Sequence, residues 1–256
     1  MKSLSHDRLA AALTDEAERF AATISGADPD LRVPTCPEWT LRDLARHVGL
    51  AYHKSAAIIA SRPTGYVPFE AVTVDEPSGF ADLGGWLRDG AARLVAAVAE
   101  VGPETPTSTW TPDRRAGFWT RRLTHETVVH RADAALATGT PYAVDAELAA
   151  DGIDEGLDLV AVFSRQPHPA LDRSSVRGRG ETLLFHATEP KRDWLVRRTP
   201  SEVEIGDEAA DADVVVEGRA ADLLLALTGR IAEDDPRLTV SGDAGLFRHW
   251  RENTRF

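Results

Sequence analysis

The chain has 256 residues, 43% of them hydrophobic, and its 41 acidic side chains against 29 basic ones give a formal net charge of −12. That apolar content supports a packed interior, while an acidic chain with no long Lys/Arg run lacks the basic face that nucleic-acid binding requires. No apolar stretch approaches the roughly eighteen residues of a membrane span, and the single cysteine excludes an internal disulfide and a Cys-rich zinc module.

In chain order, Leu9, Leu13, Ala17, Phe20 and Ile24 fall at steps of three and four. They mark the apolar stripe of a first helix over Leu4 to Ile24, ended by Ser25-Gly26. Asp7, Asp15 and Glu16 interrupt this stretch, so it is not read as a signal peptide and the expected location is cytoplasmic. The following ADPDLRVPTCPEW contains Pro29, Pro34 and Pro37 and reads as a loop. Thr40 caps a second helix running to about Ala60, with Asp43 closing an approximate capping box. Residues 61–80 carry Pro and Gly at turn-like intervals and read as a long connection.

Helical spacing returns from Leu83 to Val101, and Gly102-Pro103 stops it. A fourth helix spans FWTRRLTHETVVHRADAALAT, with Gly139 and Pro141 beyond its end. A fifth runs from Asp145 to about Phe163. From about residue 175 the texture changes to short β-branched runs: ETLLFHAT, DWLVRRT, VEIGD and ADVVVEG. The segments ADLLLALTGR and AGLFRHWREN complete an α+β unit. The expected organisation is a helical bundle over 1–163, a linker over 164–175 and a small α+β domain over 176–256.

The fourth helix contains His125, Glu126 and His130. This is not the zinc-protease pattern H-E-x-x-H, because residues five apart diverge by about 140° around a helix. Glu126 and His130, four apart, share a face, which leaves His125 outside. His47, on the Leu44–Val48–Ala51 side of the second helix, is a third candidate ligand. Two histidines and one carboxylate with an open position suit catalytic zinc or another divalent ion. On spacing alone, the same residues also describe ordinary solvated helix faces.

The stretches VPTCPEWTLRDLARHVG, FWTRRLTHETVVHRADAALATG, DAELAADGIDEGL, DWLVRRTP and LALTGR with VSGDAGLFRHWR together resemble the mycothiol-dependent maleylpyruvate isomerase family. The resemblance spans nearly the whole chain in order. It implies a multidomain α and α+β fold: an N-terminal DinB-like four-helix bundle and a smaller C-terminal α/β domain, similar to sterol-carrier folds. It also implies that His47, Glu126 and His130 hold a divalent metal, usually zinc, and act in catalysis through it. The implied cofactor is a low-molecular-weight thiol, mycothiol, which the resemblance implies and the arginine-rich, actinobacterium-like composition suits. The implied activity is metal-dependent cis-trans isomerisation of a maleylpyruvate-type substrate, or S-transfer to an electrophile.

Other residues carry double readings. Asp133 shares the Glu126/His130 face and either orients a ligand imidazole or forms a helix salt bridge. Arg122 and Arg230 are candidates for holding a substrate carboxylate, Arg230 as a catalytic residue and Arg122 as a cofactor-binding one, with surface pairing the commoner fate of an arginine. Trp119, with Trp39 and Phe118, either lines a cofactor pocket or fills the core. Asp151 reads as a turn or cap residue. Cys36, just before the second helix, is a rival nucleophile or a buried side chain. Two other functions compete with the thiol enzyme: a non-catalytic small-ligand-binding or regulatory module, and a metal-dependent hydrolase using the same open position. The expected partners are a small thiol and a small electrophile or dicarboxylate, with no nucleic acid or membrane and a monomeric or homodimeric state.

Overall fold

The computed structural model describes residues 3–165, 174–207 and 211–254. It divides into two compact units, Leu4–Tyr142 and Ala143–Phe256, the latter together with Met1–Ser3. Among the described residues, no helix is long and apolar enough to cross a membrane.

The first unit holds α1 (His6–Ile24), a hairpin of β1 (Arg32–Val33) and β2 (Cys36–Thr40), α2 (Leu41–Ala60), α3 (Phe80–Val101) and α4 (Ala116–Thr138). The expected stop and start signals operate: Thr40 and Asp43 form a reciprocal capping box on α2, and Gly139 ends α4 in the left-handed conformation at φ 68°. α1 packs against α3 and α4, and α2 packs against the same two helices, closing a four-helix bundle. Leu13, Phe20, Leu44, Val48, Tyr52, Leu87, Leu94 and Leu123 fill its centre. α4 is buried on most sides and has no clean apolar stripe. Threonines make this tolerable, as with Thr124, whose hydroxyl donates to the Thr120 carbonyl at 2.7 Å.

α2 and α3 approach closely at Gly49. A Cβ there would lie 2.2 Å from Trp86 Cζ3, and the Trp86 ring stacks on His53 at 4.7 Å between centroids. Gly49→Ala is therefore expected to cost about 1–3 kcal/mol through overpacking, read as a lowered urea midpoint with the slope unchanged.

The hairpin corrects one expectation. Residues 32–40 pair as a two-stranded sheet despite Pro34 and Pro37, because a lone hairpin leaves one side of each strand without a ladder for proline to interrupt.

The second unit begins with α5 (Ala146–Arg165), whose first turn is capped by Asp145 Oδ1 accepting from Leu148 N at 3.0 Å. A five-stranded sheet follows, of order β5-β4-β3-β6-β7, built from β3 (Thr182–Thr188), β4 (Lys191–Arg198), β5 (Val203–Gly206), β6 (Val214–Gly218) and β7 (Thr239–Gly242). β3 and β6 run parallel and every other pair is antiparallel. α6 (Ala220–Leu227) and α7 (Ala244–Thr254) complete the unit, and Phe185, Trp194, Leu223, Phe247 and Trp250 are buried in it.

α5 falls in this unit, so the division lies before it and not after residue 163. The cause is specific: α5 packs on α6 and β5, Trp194 Nε1 donates to Asp154 Oδ1 at 2.6 Å, and Val203 N donates to Ser164 Oγ at 2.9 Å. Of the expected linker, residues 166–173 lie outside the described residues, Ser164 and Arg165 end α5, and Ser174–Val176 form a short 3₁₀ turn.

Candidate metal centre

His47 sits near the start of α2, where the Thr40 capping box fixes the first turn. Glu126 and His130 are one turn apart on α4. The α2–α4 contact brings all three together. His47 Nε2 lies 3.0 Å from Glu126 Oε1 and His130 Nε2 lies 3.1 Å from the same oxygen. One ligating atom from each residue falls within 4.8 Å of the others. The imidazoles meet edge to face with centroids 5.1 Å apart, and the indole of Trp39, from β2, lies 4.8 Å from the His47 ring and 6.0 Å from that of His130.

The cluster grades from wet to dry. The His47 side chain is 40% exposed, that of Glu126 23%, that of His130 10% and that of Asp133 0%. A small molecule would therefore approach from the His47 side. Arg122 Nη2 donates to Glu126 Oε2 at 2.9 Å, which engages that oxygen and leaves Oε1 toward the histidines. His130 Nδ1 lies 2.8 Å from Asp133 Oδ2, and Thr35 Oγ1 donates to Asp133 Oδ1 at 2.5 Å.

Burial works against the charge of Glu126, but His130, hydrogen bonds from both histidines and Arg122 outweigh it and hold the carboxyl well below its usual range. Burial likewise works against protonating His130, but Glu126 and Asp133 raise its pKa to about 9. An ionised carboxylate and two imidazole nitrogens turned toward one point fit the donor chemistry of a three-ligand divalent site, with cation and proton competing for His130 Nε2.

The remaining candidates are placed as follows. His125 is buried and lies outside the cluster. Arg122 borders the cluster through Glu126. Trp119 is 2% exposed, stacks on Phe69 and donates its indole N–H to the Ser108 carbonyl at 2.9 Å, so it packs the bundle and has almost no surface to offer a cofactor. Phe118 packs edge-on to Trp110. Cys36 is partly buried against the bundle core. Asp151 and Arg230 belong to the second unit, where Arg230 Nη1 donates to the Thr228 carbonyl at 2.5 Å. Sequence reasoning missed the engagement of Glu126 by Arg122, which their i,i+4 spacing signals, and missed Thr35, which no local spacing signals.

Bundle, cluster and second unit define a two-unit protein with a candidate metal centre in its helical half. The sequence profile of the mycothiol maleylpyruvate isomerase N-terminal domain matches residues 10–135, and that of the MDMPI C-terminal domain matches residues 147–249. The chain belongs to the mycothiol-dependent maleylpyruvate isomerase family. Crystal structures of the mycothiol-dependent maleylpyruvate isomerase and of a histidine-to-alanine mutant of it each match with a TM-score of 0.61 at 16% identity, covering 94% of this chain and 96% of theirs. At that identity the likeness is one of fold. Sterol carrier protein 2 like 2 from Aedes aegypti matches 42% of this chain and 98% of its own at 23% identity, with a TM-score of 0.29. A comparison with curated proteins finds no match.

Proposed function

We propose that the protein is a metal-dependent enzyme that uses a low-molecular-weight thiol, of the mycothiol type, to isomerise a cis double bond in a small maleylpyruvate-like acid. The observation that carries this reading is the convergence of His47 Nε2 and His130 Nε2 on Glu126 Oε1. Family membership supports the thiol and the isomerisation.

When bound, a divalent ion such as zinc would supply the positive charge that brings a thiol to its nucleophilic thiolate form near neutral pH. This chain's residues do the rest. His47, Glu126 and His130 would hold the ion, and a three-residue ligand set would leave a further position for the thiol. Arg122 donates to Glu126 Oε2, which leaves Oε1 as the oxygen facing both histidines, and Trp39 packs against the two imidazoles. S-transfer to an electrophile uses the same ligands, so the assay must follow the fate of the thiol.

Zinc-loaded protein should convert maleylpyruvate to its trans isomer only when mycothiol or another small thiol is present, with the thiol recovered unchanged, as followed by proton NMR. A stable thioether product would assign S-transfer, and water-derived cleavage products formed without thiol would assign hydrolysis.

A further inference from the structure

The Asp133 carboxylate is fully buried, yet it lies on the same helix as two candidate ligands and has both oxygens occupied. Oδ2 accepts from His130 Nδ1 and Oδ1 accepts from Thr35 Oγ1, on the turn of the β1–β2 hairpin, 98 residues away in sequence. We propose that Thr35 and Asp133 form a positioning pair that fixes the His130 ring with Nε2 toward Glu126, and that the hairpin thereby sets the metal affinity of the centre. This rests on the metal-site reading above.

A histidine ring can turn about its χ2 bond and present either nitrogen to a ligand, and a hydrogen bond from one nitrogen selects the other. The Asp133 carboxylate turns about its own broad χ2 torsion unless hydrogen bonds hold its plane. The Thr35 hydroxyl supplies such a bond from outside the helix. It holds the Asp133 plane in the one orientation that keeps Oδ2 on His130 Nδ1. Trp39, four residues from Thr35 along the same hairpin, lies against both imidazoles, so hairpin position and ring position are coupled twice.

The test is the zinc dissociation constant of the full chain, measured by competition with a chromophoric chelator at fixed pH, alongside thermal unfolding of each variant. Thr35→Val keeps shape and removes the donor, and it should weaken zinc binding by about tenfold. Thr35→Ser restores the hydroxyl and should bind as the parent does. Asp133→Asn should weaken binding by about 10–100-fold. If Asp133→Asn does not fold, the Val and Ser variants at Thr35 decide the matter. A merely structural role would lower the unfolding temperature of Thr35→Val and leave its zinc affinity equal to that of the parent, which would overturn the proposal. Parent protein that binds no zinc would overturn the metal-site reading and this inference with it, whereas a zinc-binding parent with equally tight variants would overturn the inference alone.

Discussion

His47→Ala should lower thiol-dependent isomerisation by about a thousandfold in kcat/KM, equivalent to about 4 kcal/mol of transition-state stabilisation. It should do so with little change in unfolding temperature. The separation of the two effects follows from placement. His47 supplies one of three candidate ligands, but its side chain is 40% exposed, so truncation removes little packing. Steady-state kinetics on zinc-supplemented protein, paired with thermal unfolding, checks both halves. An active His47→Ala variant would remove His47 from the chemistry, and an inactive but unfolded one would deny that its role is local.

The largest loss of stability is expected from Glu16→Ala. Glu16 Oε2 accepts from Arg131 Nε at 2.6 Å, and both side chains are at most 5% exposed. The Arg131 guanidinium also lies 4.4 Å from the centre of the Tyr142 ring. Removing the carboxylate takes a charge-assisted hydrogen bond away from a buried cation, and breaking such a buried pair costs about 3–5 kcal/mol. That is a large part of the stability of an ordinary domain. Replacing the pair together, Glu16→Leu with Arg131→Met, removes the buried charge as well as its partner and should cost much less. Far-ultraviolet circular dichroism during urea unfolding reads the comparison. Equal losses in the single and double variants would mean that packing, and not the broken ion pair, dominates.

Much of the bundle was legible in local chemistry. Periodicity located α1, α2 and α3, while α4 was bounded by its glycine stop and by its loop, since its burial on most sides erases any stripe. Glu126 and His130 were legible as an i,i+4 pair, and His47 as a polar side chain on the apolar side of α2. What brings them within reach of one another is the packing of α2 on α4, which no local spacing encodes.

The misread parts share that cause. Periodicity identified α5 as a helix but could not say which partner its apolar face meets, and the answer lies in Asp154 meeting Trp194 and Ser164 meeting Val203. Prolines disguised the β1–β2 hairpin as a loop, and with it the contribution of Thr35 to Asp133. β7, only four residues long and largely exposed, has too little alternation to announce itself. Trp119 shows how burial decides between two open readings: an aromatic near a helix start suits a pocket or the core, and here it fills the core.

The central claim is that His47, Glu126 and His130 together hold one divalent ion. The most direct measurement is elemental analysis of protein purified without chelator, comparing the parent with His47→Ala and Glu126→Ala after identical zinc reconstitution and desalting. The account predicts about one zinc per parent chain and its loss from both variants. A parent that retains no metal, or variants that retain as much as the parent, would contradict it.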